Sequence, residues 1–430
     1  SCSTSALLRD KRLARTLGQL LLGLYRDQLL TFAADRGAWT WDQGAVRLAT
    51  SGDVLTYVAD QLRTLAPATQ RVLQFAACVG HRFDRELVAE ALAEAPAAVD
   101  DALAEARAAG LLVLAEPGAR AWRFVHDRIQ QAAHAQLSGP DRRALHLRLA
   151  RLLRARLGPE PHDDDLFTCV HHADLGADLI TDPDERRDLV QLELAAARRA
   201  RLGAAFEAAA GYLTAATAMM GPASWEHDHA ATFAIHAELA ECTYLSGRLA
   251  DAELACQSLL VHARTSAQRM LLAGRRMEMR VSQSRFAEAV DIGLAALDDV
   301  GIHIPRSEEA RAAALPGKLA AVDARLGERR VDQLLDAPTL ADPDVEASLQ
   351  LLMLVCIAGY YTSASTYALA ALEQVLLSLA HGNAALSPVA YMAHAFILAA
   401  LLGQYERAEQ FGELALALQR RAPDPRSEAK

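Results

Sequence analysis

From Arg9 to Phe32 the apolar residues Leu13, Leu17, Leu20, Leu21 and Leu24 recur at helical spacing between polar and basic positions. That pattern predicts an amphipathic helix, closed by a turn at Asp35-Arg36-Gly37. Ala38 to Asp42, carrying Trp39 and Trp41, alternates as a short strand or extended arm does. Between Val54 and Leu137 the pattern tightens. Helices are expected over Val54–Leu65, Ala68–Val79, Arg85–Ala93 and Ala97–Ala109, with Pro67 suited to a first turn and Gly80 and Gly110 to C-terminal stops. Leu111 to Leu114 and Trp122 to Val125, separated by Glu116-Pro117-Gly118, form a β-hairpin pattern. A further helix should run from His126-Asp127 to about Leu137, with Asp127 as its N-cap. Helices, then a hairpin wing, then another helix describe a winged helix.

Beyond Asp141 amphipathic helices follow one another, broken at Gly158-Pro159, Asp182-Pro183, Gly221-Pro222 and Ile304-Pro305. A motif of small or polar residues, an aromatic or Leu, then Ala recurs. Its copies are Ala205-Phe206-Glu207-Ala208-Ala209, Gly247-Arg248-Leu249-Ala250-Asp251-Ala252, Ser284-Arg285-Phe286-Ala287-Glu288-Ala289 and Gly403-Gln404-Tyr405-Glu406-Arg407-Ala408. The early copies lie roughly 40 residues apart, near the period of tetratricopeptide-type helix pairs. In this reading a turn residue breaks each hairpin, the aromatic plugs the groove between helices, and Ala lets them approach. Val300 to Ala390 shows no clear copy. The expected fold is mainly α: a winged-helix-like domain with a small β-hairpin, followed by an α-α superhelical (TPR-like) repeat array. The corresponding divisions are 1–53 (an N-terminal helix and extended arm), 54–140 (winged helix) and 141–430 (repeats).

Composition agrees with helices. Hydrophobic residues make up 52% of the 430, yet aromatics only 5%, so Ala and Leu carry the excess. A formal net charge of −10 argues against broad contact with nucleic-acid phosphates or anionic lipid. The six cysteines, Cys2, Cys78, Cys169, Cys242, Cys256 and Cys356, stand singly, without a CxxC knuckle, as expected of buried thiols in a reducing, cytoplasmic setting. The most apolar windows, Leu351 to Tyr361 and Ala390 to Leu402, fall short of the roughly 20 residues a bilayer span needs, so no membrane partner is expected. The start at Ser1-Cys2-Ser3-Thr4-Ser5 has neither an initiator Met nor a signal-peptide core after it, and a longer parent polypeptide is expected.

Catalytic chemistry finds no support in the motifs. The sequence has no GxSxG elbow, no HExxH and no GxxxxGK[ST] phosphate loop; Gly317-Lys318 lacks the upstream Gly and the following Ser/Thr. His162-Asp163-Asp164-Asp165 with Cys169, His171 and His172 could ligate a metal, since Cys169 and His172 share a helix face at i, i+3. An acidic first turn favoured by the helix dipole explains the same residues more simply, so no metal site is assigned. His227 and His229 are expected in an exposed turn. The candidate recognition helix, Ala97 to Ala109, carries Asp100, Asp101 and Glu105 against Arg107, and the wing offers only Arg120 and Arg123, so DNA reading is disfavoured.

The strings LLLGLYRDQLLTFAADRGAWTWD, LAPATQRVLQFAACVGHRFD, WRFVHDRIQQAAHAQL, HADLGADLI and GLAALDDVGIHIP together resemble the region that follows the nucleotide-binding core in STAND-type signalling ATPases. The nearest of these are large bacterial proteins in which the ATPase is fused to a serine/threonine kinase, a histidine kinase or a transcriptional output. The resemblance runs from about Leu17 to the C-terminus and is more specific in the winged-helix part. It implies that residues 1–53 are the remnant of an ATPase lid, although the Gly-Asn-Pro step expected before the first helix is replaced by SCSTSALLRDKRLART. Val125-His126-Asp127 resembles the family's Met-His-Asp step, with Val125 in place of Met. The resemblance implies a contact from His126 to the β-phosphate of bound ADP when an ATPase core is present, which an imidazole N–H can make. A plain helix cap is the competing role for His126 and Asp127. With no phosphate loop, no cofactor is assigned to this chain; ATP or ADP belongs to a full-length relative. The implied function is regulatory and non-catalytic: a protein or peptide partner on the concave helical face, and intramolecular ATPase and kinase domains. The alternatives are part of an ATP-dependent kinase polypeptide, or a stand-alone scaffold.

Overall fold

The computed structural model describes residues 25, 30–33, 37–41, 54–116, 121–159 and 161–421. By internal contacts the chain divides into two units, Ser1–Ala196 and Ala197–Lys430.

Among the described residues, the first strands of the first unit form a hairpin, β1 (Leu30–Ala33) and β2 (Ala38–Trp41), paired antiparallel with Phe32 opposite Trp39. The helix expected over Arg9–Phe32 lies mostly outside the described residues, and its last turn is corrected to strand. Thr31 and Thr40 share a hydroxyl–hydroxyl bond of 3.0 Å and Phe32 meets Trp39 edge-on at 5.3 Å, cross-strand pairs that favour a ribbon over a helix end. Then come α1 (Val54–Thr64), α2 (Pro67–Val79), β3 (Arg82–Asp84), α3 (Arg85–Leu92), α4 (Pro96–Ala108), β4 (Leu112–Leu114) and β5 (Ala121–Phe124). The helix boundaries follow the apolar periodicity, and Pro67 and Pro96 occupy first turns as their fixed φ and missing N–H allow. β3 is an addition to the expected hairpin: it pairs with the outer side of β5, giving an antiparallel sheet ordered β3-β5-β4. The order α2-β3-α3-α4-β4-β5 is that of a winged helix. Its core holds Leu73, Phe75, Leu103, Leu111, Leu112 and Phe124, each at most 1% exposed.

Glu105 in α4 sits at the head of α2, accepting from the Ala66 N–H at 3.1 Å and from the Thr69 hydroxyl. It supplies the cap that Ala66, lacking a side-chain acceptor, cannot. Asp100 pairs with Arg85 at 2.9 Å. Two of the acidic residues that weigh against phosphate on α4 are therefore structural.

The unit continues through α5 (Asp127–Ala135), α6 (Gly139–Arg156), α7 (Asp163–Gly176), a 3-10 turn (Ala177–Leu179) and the start of α8 (Pro183–Leu202). α6 packs on α2, α3 and α7, and Leu149 joins the winged-helix core, so the first unit runs on well past Pro140.

The second unit holds the rest of α8, then α9 (Phe206–Met220), α10 (Ser224–His227), α11 (His229–Leu245), α12 (Leu249–Leu260), α13 (Ser266–Ser282), α14 (Phe286–Asp298), α15 (Glu308–Leu326), a 3-10 segment (Val331–Asp336), α16 (Pro343–Thr362), α17 (Ala364–His381), α18 (Ser387–Leu402) and α19 (Tyr405–Arg421). α11/α12, α13/α14, α16/α17 and α18/α19 are successive packed pairs, an array of helical hairpins. The four motif copies begin α9, α12, α14 and α19 at Phe206, Leu249, Phe286 and Tyr405. Two residues before each start the backbone turns left-handed: Ala204 (φ 56°), Gly247 (86°), Ser284 (59°) and Gly403 (62°). In the first three the next amide reaches back across the turn, Ala205 to Ala200 at 2.8 Å, Arg248 to Thr243 at 3.2 Å and Arg285 to Arg280 at 2.8 Å. Ala209, Ala252 and Ala289 are fully buried. The aromatic position does not plug the groove: Phe206 and Phe286 are half-buried and Tyr405 is exposed, because the first residue of a helix points away from a partner that only closes in one turn later. A non-glycine residue held left-handed costs roughly 1–2 kcal/mol. Ala204→Gly and Ser284→Gly should each stabilise the second unit by about 0.5–1 kcal/mol in urea unfolding; a loss would show that the side chains contribute more than the backbone strain.

The unmarked stretch from Val300 to Ala390 holds α15, the 3-10 segment, α16 and α17, with a β-bridge between Thr339 and Asn383. Gly317-Lys318 lies mid-helix in α15, and Lys318 is ion-paired with Glu373 on α17. α16 corrects the short apolar window: Asp342 caps it and it runs for 20 residues, long and apolar enough by length and composition to cross a membrane. In this fold it packs against α13, α14 and α17, with Leu349, Leu352, Val355 and Ala358 fully buried.

Candidate functional site

The strand-to-helix junction of the first unit presents His126. β5 ends at Phe124, and His126 is extended (φ −147°, ψ 144°) as α5 begins. Its Nδ1 accepts the Arg128 N–H at 3.1 Å, so His126, not Asp127, is the N-cap. The helix starts one residue early because an imidazole can reach the second amide as a shorter capping side chain does. Asp127 becomes the first helical residue, and its Oδ1 lies 3.1 Å from Nδ1 of His81. With Nδ1 accepting the Arg128 N–H, the ring's other nitrogen, Nε2, is the one left to act as a donor. Gln130 fixes α5 by donating to the Ala77 carbonyl at 3.1 Å.

The second unit carries a ridge of aromatic side chains across four helices. Phe286 (α14) stacks on Tyr361 (α16) at 4.5 Å and 20°; Tyr361 meets Tyr360 edge-on at 5.4 Å; Tyr360 lies 6.2 Å from Tyr367 (α17), which lies 6.3 Å from Phe396 (α18). Tyr360, Tyr361 and Phe396 are 68%, 64% and 58% exposed. Phe286 and Tyr367 are half-buried between them, so the five rings form one contiguous row. Elsewhere in the unit a cleft of about 660 Å³ between α13 and α16 is lined by Met270, Leu271, Gly274, Ala347 and Leu354. Sequence periodicity missed the ridge because its members come from different helices and only Phe286 lies in a motif copy.

The structure separates the sequence-level metal candidates. Asp163, Asp164 and Asp165 form the exposed first turn of α7; Cys169 is buried with its Sγ 3.6 Å from the Ala150 carbonyl; His172 is buried with its Nδ1 3.1 Å from Nδ1 of His146. His227 ends α10 and is exposed, while His229 Nε2 meets the His262 carbonyl at 2.7 Å, beside Trp225 stacked on His262 at 4.0 Å. His229 and Trp225 tie the α10–α11 turn to His262, just after α12.

No protein-family model matches the chain. Among curated proteins it is similar to "Hybrid signal transduction histidine kinase G" of Dictyostelium discoideum, at 21% identity over 341 residues that cover 65% of this chain and 10% of that protein. Among solved structures it is similar to a Signal Transduction ATPase with Numerous Domains (STAND) protein with a tetratricopeptide repeat sensor from Pyrococcus horikoshii. The identity there is 14%, covering 95% of this chain and 61% of that one, with a TM-score of 0.28. The chain thus spans 10% of the curated relative's length.

Proposed function

We propose that this chain is the regulatory end of a signal-transduction protein. The helical array recognises a protein or peptide partner, and the winged-helix unit relays that event to a nucleotide-binding core and a kinase or transcriptional output elsewhere in the polypeptide. The observation that carries the reading is the exposed aromatic ridge from Phe286 to Phe396, a surface suited to an apolar partner face. The sequence similarity to a signal-transduction histidine kinase supports the signalling context. The motif resemblance around His126 supports a nucleotide relay, in which the Nε2–H donates to a phosphate oxygen of ADP and partner binding releases that packing.

A photoreactive side chain placed at Tyr361 identifies the partner, which is then titrated against the native chain and against Tyr360→Ser/Tyr361→Ser/Phe396→Ser. Affinity should fall by more than about tenfold, the scale of losing interface hot spots, with an unchanged melting midpoint. Equal affinity would sink the ridge as the binding surface. The relay is checked separately in a polypeptide that includes an ATPase core: if ADP retention were unaltered by His126→Ala, the relay through His126 would fail.

A further inference from the structure

Three helices of the first unit bring together donors that are far apart in the chain. Cys78 lies in the last turn of α2, His134 in the last turn of α5 and His146 within α6; their ligand atoms all lie within 4.8 Å of one another. Cys78 and His146 are buried and His134 is half-buried. His146 is held from behind: its Nδ1 meets Nδ1 of buried His172 at 3.1 Å, and the two rings stack at 5.2 Å and 14°. One of those nitrogens must carry a proton for the other to accept. If it is that of His146, its Nε2 is left as a lone-pair donor, the arrangement by which a supporting partner orients a metal-binding imidazole.

We propose that Cys78, His134 and His146 form a zinc site, with the Cys78 thiolate and two imidazoles as protein ligands and a water completing the tetrahedron on the exposed side of His134. Tetrahedral zinc with bonds of about 2.0–2.3 Å needs donors roughly 3.3–3.8 Å apart, so side-chain adjustments of about 1 Å close the site. One sulfur and two imidazoles suit zinc and exclude the oxygen-seeking magnesium, calcium and manganese. The surrounding charges decide its protonation chemistry. Burial pushes the Cys78 thiol up to about 11, opposed by the Arg142 guanidinium. Burial, with His134, His171 and Arg142 nearby, pulls His146 down to about 4, and burial beside His146 and His171 does the same to His172. Binding displaces the proton of Cys78, which leaves to solvent as the Zn–S bond forms. Arg142 favours the thiolate and opposes the dication; the thiolate's own charge offsets that repulsion only when it is directly bound.

The test uses the full chain, stripped of metal and titrated with Zn²⁺ by equilibrium dialysis and with Co²⁺ as a spectroscopic probe. One ion per chain is expected, and the cobalt form should show a thiolate-to-cobalt charge-transfer band with the intense visible bands of tetrahedral coordination. Cys78→Ser should abolish the charge-transfer band, although the buried Cys169, Cys242, Cys256 and Cys356 remain. The half-exposed His134→Gln should weaken zinc by more than about tenfold while leaving the helical circular dichroism unchanged. Octahedral cobalt without the band in the native chain, less than one ion bound, or a Cys78→Ser spectrum equal to the native one would each overturn the proposal. The native-chain spectrum decides even if a variant fails to fold.

Discussion

Glu193→Gln should make the first unit more stable at pH 7 by roughly 3 kcal/mol and remove most of a slope of stability with pH. Glu193 lies in α8, fully buried, and burial, reinforced by the Asp174 carboxyl on α7, raises its proton affinity to a pKa of about 10 from an ordinary value of 4.5. The sign follows from the proton count. Below pH 4.5 the carboxyl is protonated in folded and unfolded chains alike, and costs nothing. Above it, the unfolded chain releases a proton that the fold retains, so stability falls by about 1.4 kcal/mol per pH unit until the folded value is passed. Glutamine has the same shape and no proton to lose. The buried histidines work in the opposite sense: His146 and His172, pulled to about 4 by burial, cost nothing above 6.5 and destabilise the fold as pH falls toward 4. Urea unfolding of both chains at pH 5, 7 and 8 isolates Glu193 as the difference between them. A glutamine variant that is less stable at pH 8 would mean that the carboxylate is ionised and held by a cation.

How legible each part was in the sequence follows from how local its physics is. The helix starts at Phe206, Leu249 and Phe286 were legible because a left-handed residue, a first-turn residue and a buried Ala fall within six positions of one another. α16 and α17 were not, because both faces of each are covered. Leu349, Leu351, Leu352, Val355 and Ala358 are all buried along α16, and an all-round apolar helix has no 3.6-residue contrast to detect. β3, three residues long, carries too few positions for alternation, and only its pairing with β5 makes it a strand. At the strand-to-helix junction the residues were located, but the cap expected at Asp127 is formed by His126, since capping strength favours Asp in general and only geometry shows which side chain reaches the Arg128 amide. The Cys78–His134–His146 cluster had no spacing signal at all. Its members meet through the packing of α2, α5 and α6, a tertiary event without a local period.

Gly382→Ala should destabilise the second unit by about 3 kcal/mol or more, one of the largest losses available to a single methyl group. Gly382 follows α17 with φ 100° and ψ −179°, a conformation open almost only to glycine. A Cβ there would lie 2.1 Å from the Pro338 carbonyl oxygen and 2.9 Å from its carbon. Both are backbone atoms, with no rotamer by which to step aside, and they belong to the segment that this corner fastens. The Asn383 amide donates to the Pro338 carbonyl at 2.8 Å, the Leu340 amide to the Asn383 carbonyl at 2.9 Å, and the Asn383 side chain to the Leu334 carbonyl at 2.7 Å. Relieving the clash pulls Pro338 away, so these bonds should fail together, and hydrogen exchange at Leu340 and Asn383 should rise with the fall in urea midpoint. Gly412→Ala in α19 provides the contrast, since a Cβ there meets nothing within 4 Å. It should gain up to about 1 kcal/mol from helix propensity alone. If the two variants changed stability in the same direction, contact at Pro338 would not be what fixes Gly382, and the corner between α17 and α18 would have to be held by the Asn383 side chain instead.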